Sequence, residues 1–399
     1  LFTMLLTAVQ EDKSLQSSVN LFKYYYERQS SLIQLKEAEQ LEKERLSDSL
    51  KAKKAGRPKQ YKSKLRKSIT GEVKSQTVAY NNARQRLPQE LVDLVYVRSK
   101  DFGALEKEEW HGMRTFITDG TYLQLQDTED IKGEYPVIKG DGSYPQALLQ
   151  VLIRQSSGQV WDYAAGSRKV SELQLVIPML ENLEEGSLLL ADDLYNTYFH
   201  FCTVLKKNSH IIVPGKRERN YTVIREITEN DLIVGIKKGN RPGYIGVEEW
   251  AALPSTLVLR RISYEYPTKE GVEAAVLYTT LTDEKTDAAS IVQKYEKRWD
   301  IEISIREIKT LMDINVLRSK SCRMLKKELG IALTAYNMVR KIIAGAADKA
   351  AFPPEGNIFR KCTQADRPVF LDKRGRVFCK VSTGRPRKSV NTNKPSNNS

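Results

Sequence analysis

Four ionisable side chains recur in residues 295–309, the segment YEKRWDIEISIREIK. On an α-helix, which advances by about 100° per residue, Arg298, Glu302 and Lys309 all fall within about 60° of Tyr295. Apolar residues flank this stripe on both sides: Val292, Trp299 and Ile303 on one, and Ile301, Ile305, Ile308 and Met312 on the other. A charged stripe between apolar flanks is costly to bury unless a partner neutralises it. A carboxylate, two cations and a phenol suit a metal ion together with phosphate groups.

A second interpretation is an ordinary surface helix held by ion pairs between residues four apart. The apolar flanks disfavour it, and the remaining positions Asp300, Ser304 and Glu307 are expected to face water. The spacing also resembles a known signature: Tyr, two residues, Arg, three residues, Glu, six residues, Lys. It is the signature of the insertion sequence 4 family of bacterial transposases. In that family the glutamate, here Glu302, is the last member of an Asp-Asp-Glu metal triad.

The resemblance implies two partner aspartates. Asp119 follows an apolar run and precedes Gly-Thr, similar to the family's Asp-Gly-Ser/Thr. Asp192 ends the run SLLLAD and stands three residues before Tyr195, which resembles the family's Asp, two residues, aromatic motif. Asp193 replaces the arginine that is usual there. A lone aspartate at a strand end is more often a turn or cap residue, but three carboxylates matching in order favour the triad.

Two-metal cleavage of a phosphodiester needs carboxylates that converge from separate elements on ions about 3.5–4 Å apart. The resemblance therefore implies two Mg²⁺ or Mn²⁺ ions and the following roles. Asp119, Asp192 and Glu302 bind metal, whereas Tyr295, Arg298 and Lys309 contact phosphates. Trp299 and Trp250 are candidates for stacking on an extruded base, although a place in the core is favoured for Trp299.

Other DNA contacts are predicted outside this segment. Arg57 and Arg385 lie in the Gly-Arg-Pro triplets at 56–58 and 384–386, which resemble the core of an AT-hook. Such an extended segment fits a narrow minor groove, whose negative potential attracts arginine; chance occurrence is the alternative. Arg84, in SQTVAYNNARQRL, loosely resembles the family's N-terminal DNA-contacting region, and an ordinary packed helix is the alternative.

The elements that must position these residues follow from hydrophobic periodicity. Strands are predicted at 113–125 (two halves bent at Asp119-Gly120), 146–154, 159–163, 187–192 and 210–213, with helices at 171–183 and 198–207. This order is one α/β option among several, and the family resemblance selects the ribonuclease H-like fold. Helices are also predicted at 24–54, 76–98 and 325–343, and Thr286 or Asp287 is expected to cap the helix of the signature segment.

The predicted fold class is α/β, with a ribonuclease H-like catalytic core interrupted by a β-rich insert. The predicted units are a helical N-terminal DNA-binding region at 1–105, the first part of the catalytic core at 106–213, the insert at 214–272, the second part of the core at 273–345, and a basic disordered tail at 346–399. The tail has too few apolar residues to join a core.

The net charge of +14 and the pI near 9.3 favour a polyanionic partner. The four cysteines form no CxxC pair, as is typical of a reduced cytosol. No apolar run reaches the length of a membrane span. We therefore expect a cytoplasmic, nucleoid-associated bacterial protein that does not enter membranes.

The resulting hypothesis is a DDE transposase that cuts double-stranded DNA at inverted-repeat ends and joins the 3′ ends to target DNA, as a homodimer in the synaptic complex. A metal-dependent nuclease of the same fold that never integrates is a second hypothesis. A catalytically defective DNA-binding copy is the third, and the intact carboxylates disfavour it.

Overall fold

The computed structural model describes residues 4–5, 24, 40, 77–103, 110–137, 144–216, 219–268, 271–350, 370–371 and 377–378. Within these ranges the main feature is one sheet of nine strands. The strands are β1 (Thr115–Gln124), β2 (Gln146–Arg154), β3 (Val160–Ser167), β4 (Leu188–Leu190), β5 (His210–Pro214), β6 (Thr222–Thr228), β7 (Asp231–Lys237), β8 (Thr256–Thr268) and β9 (Gly271–Thr279). Two-residue strands, β10 (Phe370–Leu371) and β11 (Val377–Phe378), form a separate pair.

The sheet is mixed, with the order β3-β2-β1-β4-β5-β9-β8-β7-β6. Strand β4 lies parallel to both β1 and β5, whereas β2 is antiparallel to β1 and β3. The apolar run of β2 is buried along almost its whole length, as expected for a strand covered on both faces. Strand β1 runs without a break through Asp119 and Gly120, so the predicted bend was wrong. Nine consecutive pairs with β2 keep the strand continuous through these residues.

The helices are α1 (Thr77–Arg86), α2 (Gln89–Ser99), α3 (Glu129–Glu134), α4 (Glu172–Glu181), α5 (Tyr198–Leu205), α6 (Val247–Ala251), α7 (Ala288–Glu296), α8 (Asp300–Arg306) and α9 (Cys322–Ala350). The helix predicted over 76–98 is two helices. Pro88 takes an extended backbone conformation between them, because its ring disfavours continuation of the preceding helix. Asp287, one of the two predicted caps, accepts a hydrogen bond from the Ser290 amide at the start of α7.

Two hydrophobic cores lie on opposite faces of the sheet. One contains Ile117, Leu190, Ile301 and Ile308, so it packs β1 and β4 against the signature segment and α9. The other contains Phe116 and packs the opposite face against α4 and α5. Burial on both faces makes the centre of the sheet a rigid platform for residues at its strand ends.

Strands β6 to β9 extend the same sheet. Strand β9 pairs antiparallel with β5 over three residues and with β8 over nine, so the β-rich segment joins the sheet edge directly. No helix in the described ranges combines the length and apolar character needed to cross a membrane. The predicted DNA-contacting residues Arg57 and Arg385 and most of the predicted tail lie outside the described residues.

Candidate active site

Asp119 lies in the part of β1 that extends beyond the end of its neighbour β4. Side chains alternate along β1, so Asp119 points to the same face as Ile117 and Thr121, towards the signature segment. Strand β4 stops at Leu190, which pairs with Ile117, and the next partner of β1 on this side is Val316, which bridges to Gln124. The carboxylate of Asp119 is therefore half-buried at an open edge, and its own oxygen accepts the Gly120 amide at 2.8 Å.

Asp192 and Asp193 follow the end of β4 and point to different partners. Asp192 caps a short 3₁₀ turn (Asp193–Tyr195), accepting the Leu194 amide at 2.9 Å. Its negative charge raises the pKa of Asp119. Asp193 instead accepts the Lys216 amide at 3.0 Å. The chain thus leaves extended geometry directly after Asp192, and of the two aspartates Asp192 is the one that acts electrostatically on Asp119.

The signature segment is helical throughout but not uniformly α-helical. Between α7 and α8 lies a 3₁₀ turn (Lys297–Trp299), and a π turn (Glu307–Leu311) follows α8. The 3₁₀ turn winds the backbone more tightly than an α-helix, and the π turn winds it more loosely. The two deviations offset each other, so the segment keeps one side towards β1 and β4. Tyr295 donates to the Ala191 carbonyl at 3.3 Å, and Lys309 donates to Thr121 at 3.2 Å.

The flanks of the segment differ from the prediction. Ile301, Ile308 and Met312 are buried as expected. Trp299 and Ile303, predicted as the second apolar flank, are 59% and 53% exposed, so the core position favoured for Trp299 was wrong. Trp299 and Ile303 are exposed because α9 covers the opposite side of the segment.

Two of the residues predicted to face water are enclosed on that covered side. Ser304 is buried, and Glu307 forms an ion pair with Arg340 of α9 at 3.2 Å. Asp300, also predicted to face water, accepts a hydrogen bond from Gln155 at 3.1 Å. The sequence of the segment alone does not show that the long helix α9 packs on this side.

A cavity of about 680 Å³ lies between β1 and the signature segment. Its lining joins two predicted metal ligands to a predicted phosphate-binding residue: Asp119, Gly120, Thr121, Glu302, Ile305, Arg306, Lys309, Thr310, Asp313 and Asn315. Glu302 is exposed towards this space. Arg306 adds a cation that the sequence reasoning missed, although it stands four residues after Glu302 and an ideal α-helix projects it into the same stripe.

The electrostatics of the cavity centre on Asp119. Burial raises the pKa of its carboxyl, and the negative charges of Asp192 and Glu302 raise it further, while Arg298 lowers it. Arg298 lies over the Trp299 ring, 4.6 Å from its centroid. Burial raises the pKa of Tyr295 far above its ordinary value, so this phenol stays protonated as a hydrogen-bond donor. The site therefore carries negative charge that a cation can offset.

The carboxylate oxygens around Asp119 have the chemistry that a divalent metal requires. Mg²⁺ and Mn²⁺ take hard oxygen ligands and Mg²⁺ keeps several waters, so a few carboxylates suffice. Asp119, Asp192 and Glu302 provide such oxygens, and their mutual repulsion at Asp119 favours a cation between them. In the described ranges no three acidic, histidine or cysteine side chains already converge on one metal-sized point. The residues fit the chemistry of the metal: Asp119 and Glu302 line the cavity, and Asp192, on another element, acts electrostatically on the Asp119 carboxyl.

Several predicted contacts lie away from this cavity. Trp250 is half-buried in the β-rich segment, where it packs near Tyr198 at a centroid distance of 6.0 Å and under Lys238. Arg84 lies in the last turn of α1, where Lys327 of α9 donates to the carbonyls of Arg84 and Gln85. Its DNA contact stays a prediction.

One acidic residue near the site was missed. Glu172, the first residue of α4, reaches over Gly120, and the charges of Asp119 and Asp192 both act on it. The Asp-Gly pair in β1 is the available signal, since a glycine in a strand interior marks a close approach.

Comparisons with known proteins identify related chains. The sequence model of the transposase DDE domain matches residues 110–338. Transposase InsG for insertion sequence element IS4, from Escherichia coli K12, is 26% identical over 268 residues, or 65% of this chain and 59% of that protein. Putative transposase InsZ of the same organism is 26% identical over 146 residues, or 34% of this chain and 49% of that protein. This chain therefore spans less than two thirds of either relative's length.

A solved structure is also similar in part. It is the cryo-EM structure of the piggyBac transposase synaptic complex with hairpin DNA, which matches with a TM-score of 0.37 at 8% identity. The match covers 63% of this chain and 52% of that one.

Proposed function

This chain belongs to the transposase DDE domain family, whose sequence model matches more than half of it, and from that premise we propose that it cuts DNA at the inverted-repeat ends of an insertion sequence and joins the 3′ ends to target DNA. The resemblance to insertion sequence 4 transposases is confirmed by the family match and by InsG. The observation that carries the proposal is the shared cavity of Asp119, Glu302 and Lys309, with Asp192 acting on the same Asp119 carboxyl.

The strand arrangement supports a ribonuclease H-like core. In the order β3-β2-β1-β4-β5, three parallel strands are bordered by an antiparallel pair, which is the order expected for that fold. It places the end of β4 beside β1 just before Asp119, because Leu190 pairs with Ile117. An aspartate in β1 and another after β4 are thereby neighbours, although 73 residues separate Asp119 from Asp192 in the chain.

In the proposed mechanism Asp119, Asp192 and Glu302 hold two divalent ions, Mg²⁺ or Mn²⁺. When bound, these ions activate the attacking hydroxyl and stabilise the leaving oxygen. Lys309 and Arg298 bind phosphates of the DNA strand by charge and hydrogen bonds. Tyr295 remains protonated and donates a hydrogen bond at the edge of the site.

The proposed partners are the inverted-repeat ends and the target DNA, with two copies of the chain in the synaptic complex. Exposed Trp299 beside Arg298 offers an aromatic face at the mouth of the site for an unpaired base. The cytoplasmic, nucleoid-associated location stays a prediction.

Glu302→Gln tests the proposal, because it keeps the side-chain shape and removes a metal-binding charge. We expect cleavage of DNA carrying the element's ends to fall below about a tenth of wild type, which is about 1.4 kcal/mol of barrier, while binding of those ends stays unchanged. Glu296→Gln, an exposed glutamate at the end of α7, is the matched control and should cleave normally.

Near-normal cleavage by Glu302→Gln would overturn the assignment. If wild-type protein cleaves ends but never joins them to a target plasmid, the nuclease hypothesis replaces transposition. If it binds ends but cleaves none in Mg²⁺ or Mn²⁺, the chain is a defective DNA-binding copy.

A further inference from the structure

The π turn of the signature segment is held from two opposite sides. Within it, the amide of Met312 donates to the carbonyl of Glu307, five residues earlier, at 3.2 Å. On the side of α9, the Glu307 carboxylate pairs with Nη1 of Arg340 at 3.2 Å. On the cavity side, Nζ of Lys309 donates to Oγ1 of Thr121 at 3.2 Å. Residues two apart point to nearly opposite sides of a helix, so the ion pair and the Lys309 contact hold the turn between them.

Arg340 is fixed by the turn between β2 and β3. Its Nε donates to the carbonyl of Ser157 at 2.8 Å. A Cβ atom at position 158 would lie 1.9 Å from Nη2 of Arg340, so only Gly158 leaves room for the guanidinium. Tyr336, four residues before Arg340, donates to the Gly158 carbonyl at 3.0 Å. The side chains of Arg340 and Glu307 are only 11% and 12% exposed, so water screens their attraction weakly.

The same turn also holds the signature segment nearer its start. Oε1 of Gln155 accepts a hydrogen bond from Lys294 of α7 at 2.6 Å, and its Nε2 donates to Asp300 of α8 at 3.1 Å. The turn follows β2, which pairs with β1 over nine consecutive residues that include Asp119. The turn therefore holds the segment on both sides of Glu302 and ties it to the strand that carries Asp119.

Stability alone does not account for the pair between Glu307 and Arg340. A buried ion pair often stabilises no more than apolar residues of similar volume, because both charges must leave water. What the pair does supply is one fixed geometry. A π turn is rare and frequently lies at a functional site, and this one contains Lys309, which lines the cavity together with Asp119 and Glu302.

We propose that Glu307 and Arg340 are positioning residues: their ion pair, braced by the β2–β3 turn, holds the π turn and so directs Lys309 into the cavity. The inference rests on the proposed function, in which Lys309 binds a DNA phosphate. Without the pair the π turn can relax to an α-helical turn, which changes the direction of Lys309 relative to Thr121.

The test measures DNA binding by the full chain at several KCl concentrations. The probe is a fluorescein-labelled duplex that ends in the sequence flanking the gene, and EDTA prevents its cleavage. We expect Glu307→Gln to lower the slope of log affinity against log salt by about one, as Lys309→Ala does, because one phosphate contact is lost. Removing a negative charge ordinarily strengthens binding to DNA, so this loss has the opposite sign to a general charge effect.

Glu184→Gln is the matched control, since Glu184 also pairs with an arginine, Arg114, but does not line the cavity. It should keep the wild-type slope. Arg340→Lys keeps the charge but not the fork that spans the Ser157 carbonyl and Glu307, so it should lower the slope as well. It decides the question if Glu307→Gln does not fold.

A double variant tests whether Glu307 acts through Lys309. The combination of Glu307→Gln with Lys309→Ala should have the same slope as Lys309→Ala alone, because the contact that Glu307 positions is already absent. A further decrease in the double variant would mean that Glu307 affects DNA binding by another route, and it would overturn the inference.

The salt slope also separates positioning from a purely structural role. A slope within about 0.3 of wild type in folded Glu307→Gln, or in Arg340→Lys as its substitute, overturns the inference even if the melting temperature falls. If Lys309→Ala lowers the slope while these variants do not, only the positioning role is wrong. If Lys309→Ala itself leaves the slope unchanged, the phosphate contact of the proposed function is refuted, and the inference fails with it.

Discussion

The adjacent aspartates after β4 give the most discriminating prediction. Asp192 and Asp193 have the same side chain, share a turn and are both half-buried, so replacing each by asparagine makes a matched pair. Asn keeps the shape and one acceptor oxygen while removing the negative charge. Any difference between the variants therefore reports where the charge is used.

The hydrogen bond of Asp193 sets the losses of stability and of cleavage that we expect in Asp193→Asn. Asp193 accepts one backbone hydrogen bond, from Lys216 at 3.0 Å, which an asparagine oxygen can also accept. A neutral hydrogen bond contributes about 1 kcal/mol and one to a charged group about 1.5–3, so the loss in Asp193→Asn is about 1 kcal/mol of stability. Cleavage should change by less than about tenfold.

Asp192→Asn also keeps its structural bond, because an asparagine oxygen can accept the Leu194 amide as well. What is lost is the charge beside Asp119. We expect cleavage to fall by at least about a hundredfold, or about 2.7 kcal/mol of barrier, with a melting temperature close to that of wild type.

The assay is cleavage of a linear DNA that carries the sequences flanking the gene, in Mg²⁺. Replacing Mg²⁺ by Fe²⁺ with ascorbate adds a second readout, since hydroxyl radicals cut the backbone beside a bound iron. Backbone cuts near residue 192 should disappear in Asp192→Asn and persist in Asp193→Asn. An inactive Asp193→Asn with an active Asp192→Asn would refute the register of this turn.

Three further predictions concern charged residues, two of them at the site and one in the β-rich segment. Arg298→Ala and Lys309→Ala should each lower the slope of log affinity against log salt for cut ends by about one, measured by fluorescence anisotropy; unchanged slopes in both would place these cations away from DNA. Asp231→Asn breaks the buried pair with Arg260, whose Nε lies 2.7 Å from Asp231, and should cost about 3–5 kcal/mol in urea unfolding; less than about 1 kcal/mol would contradict this. Because the raised pKa of Asp119 means that its protonated form is favoured by folding, stability is lost as pH rises through that pKa. Asp119→Asn should therefore melt higher than wild type in EDTA at neutral pH and gain nothing from MgCl₂, whereas a lower melting temperature in EDTA would contradict the charge argument.

The spacing of the signature segment grouped residues that the structure also brings together. Spacing in the signature segment pointed to Glu302 and Lys309, and both line the cavity with Asp119. Residue spacing alone could group these side chains, because residues three and four apart lie on the same side of a helix. The metal-binding and phosphate-binding roles of these residues stay predictions until they are measured.

The errors have tertiary causes. Trp299 was expected in the core, yet it is exposed because α9 covers the other side of the segment, where Arg340 pairs with Glu307. Nothing within residues 295–309 specifies where α9, which begins at Cys322, will pack. Glu172 was missed for a similar reason, since its approach to Gly120 depends on how α4 crosses the sheet.

The β-rich segment is tied to both halves of the site. On one side, the amide of Lys216, in the chain that leads to β6, is bound by Asp193, next to Asp192. On the other, Arg260 of β8 donates to the carbonyls of Asp283 and Thr286, immediately before α7 begins. Because α7 leads into the helix that carries Glu302, the insert fixes the start of that helix relative to the end of β4. Because β8 continues the same sheet as β1 and β4, the hydrogen bonds of Arg260 to the segment before α7, together with its buried ion pair with Asp231, constrain where the helical segment that carries Glu302 begins.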